Sequence, residues 1–177
     1  MIIISGIHRG RRLLAPPPFV RPIPVLLRKS LFDMLGNRIR GCAFLDGYAG
    51  SGIVGMEAIS RGAAHVDFVE SDKHVAAAIE RNLDRLAASE QSCVHVVHYE
   101  NFLACGSRLY DFIFIDPPYE QGTPDEAVQK TFSCSRLSHD GQLIAKAPAS
   151  WSRPQEHPRL TRSKIQGRNG LFFFSDA

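Results

Sequence analysis

At 177 residues, with 44% apolar and 22% charged side chains, the chain has the length and composition of one globular domain, with no room for a second large one. Its apolar runs fall far short of the roughly 20 residues of a membrane helix, and MIIISGIHRGRRLL sets apolar before basic residues, the reverse of an export signal; a soluble cytoplasmic protein, monomeric by default, is expected. The formal net charge of +3 is modest but uneven, with eight Arg and Lys against one Asp before Gly41 and the acids gathered mid-chain, which suits a polyanion lying along one side as well as it suits a solvated surface.

In chain order, residues 1–24 read as a basic N-terminal arm: a short strand in IIISG, a turn, a second short strand near RRLLA, then PPPFVRPIP, whose prolines favour extended backbone and forbid helix. Residues 25–177 read as the main domain. Val25 to Ile39 spaces Leu27, Leu31, Met34 and Leu35 at helical intervals, with Arg28, Lys29 and Arg38 on the polar face. CAFLD then reads as a strand, SGIVGMEAISRG as a helix, HVDFVE as a strand and SDKHVAAAIERNLDRLAA as a helix capped by Ser71 or Asp72. After these come the strands CVHVVH and YDFIFID, the helix PDEAVQKTFSCSRL and the strand GQLIAKA. RLTRSKIQ and LFFFS close the chain as a hairpin turning at the Asn-Gly of GRNG. Strand and helix in succession, with strands as apolar as FIFI, predict an α/β, Rossmann-like fold: a mostly parallel sheet covered on both faces, ending in an antiparallel hairpin.

Cys42, Cys93, Cys105 and Cys134 form no C-x-x-C and read as reduced thiols, buried for the most part. Cys93 and His95 would share one face of a strand and His98 the other, with no second ligand pair near, so no metal site is expected.

The stretch AFLDGYAGSGIVGMEAISRGA satisfies G-x-G-x-x-G through Gly50, Gly52 and Gly55, at the carboxyl end of a strand where an α/β sheet binds ligands. The helix starting near Ser51 offers free N–H groups, and Glu70 closes the next strand, where an acid can accept hydrogen bonds from ribose hydroxyls. A nicotinamide dinucleotide would fit so far. Asp46, four residues before the first glycine, would repel a pyrophosphate but suits the cationic amino-acid portion of S-adenosylmethionine. A dehydrogenase would also need a substrate domain.

FIFIDPPYEQG adds the second motif. Asp116 ends a buried strand, and Pro117 and Pro118 lock the turn that follows, so the carboxylate, the prolyl carbonyl and the Tyr119 ring form a rigid lip beside the crevice. A nucleobase amine is a poor nucleophile because its lone pair is delocalised into the ring. Acceptors at Asp116 and Pro117, aimed at its two hydrogens, favour the pyramidal nitrogen that attacks a sulfonium methyl. Tyr119 offers a stacking face for a flipped or exposed base.

With both motifs in view the chain resembles the bacterial small-subunit ribosomal RNA (guanine-N2) methyltransferases. IISGIHRGRRL is similar to their N-terminal arm, LDGYAGSGIVGMEAISRGA to their cofactor motif, FVESD to their ribose-binding turn and DPPY to their catalytic motif. The resemblance implies a Rossmann-like class I methyltransferase fold and methyl transfer from S-adenosylmethionine to the N2 amine of a guanine in 16S rRNA, in the small subunit or an assembly intermediate. It implies cofactor contacts from Asp46, Gly50, Ser51, Gly52 and Glu70, with Asn101, or equally Glu100, near the adenine. Asp116, Pro117, Pro118 and Tyr119 would carry the target amine, and Arg9, Arg11, Arg12, Arg21 and Arg28 would contact RNA. Ile23, Val25, Leu26 and Lys146 depart from the family pattern, which has polar residues at the first three and an acid near the last. A DNA adenine-N6 methyltransferase is the alternative enzyme, disfavoured by the lack of a target-recognition domain. A protein that binds cofactor and RNA without catalysis is the alternative of another class.

Overall fold

The computed structural model describes residues 1–118, 124–151 and 157–175. Among them seven strands form one sheet: β1 (Ala43–Gly47), β2 (His65–Glu70), β3 (Ser92–Val96), β4 (Tyr110–Ile115), β5 (Leu137–Pro148), β6 (Leu160–Gln166) and β7 (Asn169–Phe174). Their spatial order is β3-β2-β1-β4-β5-β7-β6. The first five run parallel, and β7 runs antiparallel to both β5 and β6. The strand order reverses between β1 and β4, which opens a crevice beyond their carboxyl ends.

Side-chain alternation along the strands gives each face its own core. On one face Phe44, Phe112, Ile144 and Phe173 pack with Leu27, Leu31 and Phe32 of α1 (Val25–Leu35), Ile53 and Met56 of α2 (Ile53–Ser60), and Ile79 and Leu83 of α3 (Lys73–Arg85). On the other, Leu45, Ile113, Leu143, Phe172 and Phe174 pack with Tyr99 and Leu103 of α4 (Tyr99–Cys105) and Ala127 and Val128 of α5 (Pro124–Ser133). Each fully buried Leu, Ile or Phe contributes about 1.5–3 kcal/mol, which makes the two faces the main stabilising term. Asp72 starts α3 by accepting from His74 N (2.7 Å) and Val75 N (3.1 Å). No helix is long and apolar enough to cross a membrane among the described residues.

Several elements differ from the sequence expectation, each for a physical reason. The first helix stops at Leu35 because Gly36 turns left-handed (φ 58°), and residues 36–39 continue as a 3₁₀ turn. The seven-residue helix α4 was not expected, since an element of two turns holds only the Tyr99–Leu103 apolar pair and shows no period. The terminal hairpin turns at Gly167 (φ 60°) and Arg168, with Gln166 facing Asn169, so the Asn-Gly pair lies inside β7 rather than in the turn. Cys93 and Cys105 are exposed and only Cys42 is fully buried; all four thiols are free.

The N-terminal segment is clipped to the domain. A bridge pairs Ile2 with Arg12, and the buried Glu57 of α2 accepts from the backbone of Ile4 (2.9 Å) and Ser5 (3.0 Å). Asn82 Oδ1 accepts from Leu14 N at 2.8 Å, and Ile3 and Leu13 sit in the same core as α1. This docking corrects the place given to Arg28. Its guanidinium is 2% exposed, donates to the Ile2 carbonyl at 2.7 Å and lies 3.6 Å from Glu57, so it braces the arm from beneath instead of presenting charge to solvent. The exposed side of α1's first turns carries Val25 and Leu26 as well as Lys29.

Candidate active site

Three adjacent strands deliver acids to one edge of the sheet. Gly47 of β1 pairs with Val69 of β2 and with Ile115 of β4, so Asp46, Glu70 and Asp116 arrive at nearly the same height. They line a cleft of about 940 Å³ with Tyr48, Gly50, Ser51, Asp72, His98, Tyr99, Pro117, Pro118 and Lys146. The segment from Phe19 to Pro24 forms another part of the wall.

The glycine loop is built from the backbone outward. Gly52 takes a left-handed conformation (φ 67°) at the start of α2, where a side chain would be strained and a Cβ would press on Ile79 and Met56 at 3.1 Å. A Cβ on Gly55 would come within 2.3 Å of the Phe68 ring, so the third glycine of the fingerprint serves helix-on-sheet packing. Tyr48 is left-handed without being glycine (φ 57°), held by its hydroxyl bond to Glu100 and its ring against Tyr99. Glu70 fixes the loop by accepting from Gly50 N (2.8 Å) and Asp72 N (2.9 Å).

Asp46 is 1% exposed and accepts from Gly55 N at 2.9 Å. Two N–H groups of the first turn of α2 are thus taken up inside the fold, Gly55 N by Asp46 and Ile53 N by Ser51 Oγ, rather than offered to a ligand as expected. Burial pushes the Asp46 carboxyl up to about 8; the Gly55 N–H opposes this, and the nearby Asp116 and Glu70 reinforce it. Burial likewise raises the Asp116 carboxyl, against the pull of Lys146, whose Nζ donates to Asp116 Oδ1 at 2.8 Å.

The cleft gathers Asp46, Gly50, Ser51, Glu70, Asp116, Pro117, Pro118 and Arg21 from the sequence-predicted set. Gly52 shapes the loop from behind the wall. Asn101, expected near the adenine, is exposed on α4 and is not on the cleft wall, which Val97 and His98 line. Glu100 is occupied by Tyr48. Tyr119 lies outside the described residues. Arg9, Arg11, Arg12 and Arg21 are exposed, with no ion pair to any of them among the described residues. Sequence reasoning missed Tyr48 and His98. Tyr48 sits inside the motif, whereas His98 gave no signal. Lys146 was noticed as a departure, without its partner.

A second polar cluster lies on the opposite face of the sheet. Asp67 accepts from Tyr110 OH (2.8 Å), meets His95 Nε2 at 2.7 Å and His65 Nε2 at 3.2 Å, and has Arg108 Nε at 3.6 Å. The ligand atoms of Asp67, Cys93 and His95 lie within 4.8 Å of one another, closer than the sequence suggested, but the carboxylate is taken up by hydrogen bonds and a guanidinium stands against it.

Comparison with known proteins gives a consistent picture. The family described as conserved hypothetical protein 95 matches residues 1–175. The chain is similar to ribosomal RNA small subunit methyltransferase D of Escherichia coli K12, with 31% identity over 176 residues, covering 94% of this chain and 85% of that one. A protein of the same description from Haemophilus influenzae is 37% identical over 130 residues, 71% of this chain and 67% of its own. A solved structure of a hypothetical protein from Thermus thermophilus superposes with a TM-score of 0.87 at 28% identity, covering 99% of both chains.

Proposed function

The chain belongs to the conserved hypothetical protein 95 family, and from that membership we propose that it moves a methyl group from S-adenosylmethionine to the N2 amine of a guanine in small-subunit ribosomal RNA. As a member of this family it is a methyltransferase. The observation that carries the finer reading is the meeting of the Asp116 corner and the glycine loop in one cleft, with no strand between them. The residues fit the donor: a buried carboxyl poised near 8 at Asp46 suits an ammonium, and the Glu70 carboxylate beside the loop suits ribose hydroxyls. A pyrophosphate would face three acids.

When bound, the donor supplies an electrophilic methyl carbon on a sulfonium. Asp116 and the Pro117 carbonyl accept the two amine hydrogens and turn the nitrogen lone pair toward that carbon. Asp46, Glu70 and the glycine loop would hold the donor, and the Asp116 carboxylate would take the surplus amine proton and pass it to solvent. Tyr119, by its place in D-P-P-Y, stacks the base. Arg9, Arg11, Arg12 and Arg21 hold phosphates, and Arg28 takes no part in that contact.

The deciding experiment incubates the protein with labelled S-adenosylmethionine and small subunits from a strain lacking it, followed by nucleoside analysis. N2-methylguanosine is the expected product. N6-methyladenosine, or no incorporation, would overturn the reading.

A further inference from the structure

We propose that Lys146 is a positioning residue for the amine-accepting corner: its ammonium pins Oδ1 of Asp116 and so leaves Oδ2 turned to the incoming amine. The inference rests on the reading above that Asp116 receives the amine. It explains a lysine that the sequence marked only as a departure.

The pairing is set by the sheet. Ile115 pairs with Ala145 in the β4–β5 ladder, so Asp116 and Lys146 are the next positions along two parallel strands, on the face that already carries Phe114 and Ile144. Behind Lys146, β7 fixes the strand again through the Lys146–Leu171 pair. The Lys146 side chain is 14% exposed and that of Asp116 28% exposed, so the contact is sheltered at the cleft wall rather than roaming over the surface. A carboxylate on a free side chain presents either oxygen; one pinned at Oδ1 presents the other in a fixed direction.

The same contact governs the charge on the corner. A protonated carboxyl would turn one of its oxygens into a donor and leave the group a weaker, uncharged acceptor for the amine. Burial favours that neutral form, and the Lys146 ammonium opposes it. The other titratable or charged groups on the cleft wall are Asp46, Tyr48, Glu70, Asp72, His98, Tyr99 and, from the N-terminal segment, Arg21. Lys146 is the cation in contact with Asp116 among the described residues.

Lys146→Met and Lys146→Arg test this against the unaltered protein in two ways. In turnover on small subunits, Lys146→Met is expected to move the acid limb of kcat upward by about one pH unit or more and to lower kcat at neutral pH about tenfold. KM for the subunit and affinity for S-adenosylhomocysteine should stay within about threefold, and Lys146→Arg should restore the limb. Independently of turnover, carboxyl-carbon NMR titration of aspartate-labelled protein, with Asp116 assigned through Asp116→Asn, should show its midpoint raised in Lys146→Met and returned in Lys146→Arg. An unmoved midpoint overturns the proposal, and so does a moved midpoint with an unmoved acid limb. If the unaltered protein makes no N2-methylguanosine while the midpoint still moves, the substrate reading falls and the grip of Lys146 on Asp116 stands. If methylation proceeds alike in all three proteins, the Lys146 role falls alone.

Discussion

Two buried carboxylates on neighbouring strands, Asp67 on β2 and Asp46 on β1, are treated in opposite ways, each at the centre of a polar cluster. At Asp67 burial pushes the carboxyl up, yet contacts with His95, Tyr110 and His65 outweigh it and hold the group below its ordinary range. At Asp46 burial wins against the single Gly55 N–H, with Asp116 and Glu70 adding to the rise. In the first cluster polar and cationic partners surround the carboxylate, while the second lacks a cation that the chain supplies only in part, through Lys146. A site that binds a cationic ligand is expected to look like the second, because the missing charge arrives with the ligand.

The comparison is broken most directly at Asp116. Asp116→Ala should lower methyl transfer about 10³-fold or more while S-adenosylhomocysteine affinity, measured by calorimetry, stays within about threefold. Loss of cofactor affinity, with transfer intact at saturation, would move Asp116 out of the amine-binding role. At Asp67 the expected effect is on stability: Asp67→Asn should cost about 2–4 kcal/mol in urea unfolding, because a depressed carboxyl stabilises the fold above its unfolded value of about 3.9 and that contribution is lost only as pH falls through the folded value. Turnover of the folded fraction should not change. A thousandfold loss of turnover with normal stability would place Asp67 in the machinery and erase the contrast.

Asp46 should behave with the opposite sign. Its raised carboxyl makes ionisation a cost to the empty fold as pH climbs toward 8, so Asp46→Asn, which keeps an acceptor for Gly55 N–H, should stabilise the empty protein by about 1 kcal/mol. Binding of an ammonium reverses the balance and expels the proton. On the proposed reading, S-adenosylhomocysteine affinity therefore rises with pH, approaching about tenfold per unit between about pH 6 and 7.5. It levels off as Asp46 ionises unaided near 8. In Asp46→Asn the rise should vanish. Calorimetry across that range reads it, and a pH-independent affinity in the unaltered protein would remove Asp46 from the ligand.

The alternation of strand and helix, the parallel sheet and the cleft acids were all legible, because FIFI, HVDFVE and the glycine loop are local patterns whose physics is local. Asp116 was legible because two prolines rigidify whatever precedes them. The Asp116–Lys146 contact was not, since it depends on the register of two strands separated by a helix and a loop. Arg28 misled for a related reason. The helical period assigned it a polar face, but the period cannot tell that the arm would fold back over that face or that Glu57 of α2 would stand against it. The exposure of Asn101 was not legible either, because it follows from the short α4, which turns it to solvent and leaves His98 at the wall.

Two arginines seven positions apart should part company in the salt dependence of binding. Arg21 is exposed on the cleft wall, so on the proposed reading Arg21→Gln should weaken subunit or RNA binding a few-fold and flatten the log affinity against log salt slope by about 0.7–0.9, the loss of one phosphate contact. Arg28 is held by the Ile2 carbonyl and Glu57, so Arg28→Gln should leave the salt slope unchanged. It should lower stability by about 3 kcal/mol, because Glu57 then keeps only Arg61 and the arm's N–H donors against its buried charge. Equal slopes for Arg21→Gln and the unaltered protein would take the cleft-side segment out of the RNA path. A flattened slope in Arg28→Gln with unchanged stability would mean that the arm lifts away on binding and hands its buried arginine to the phosphate.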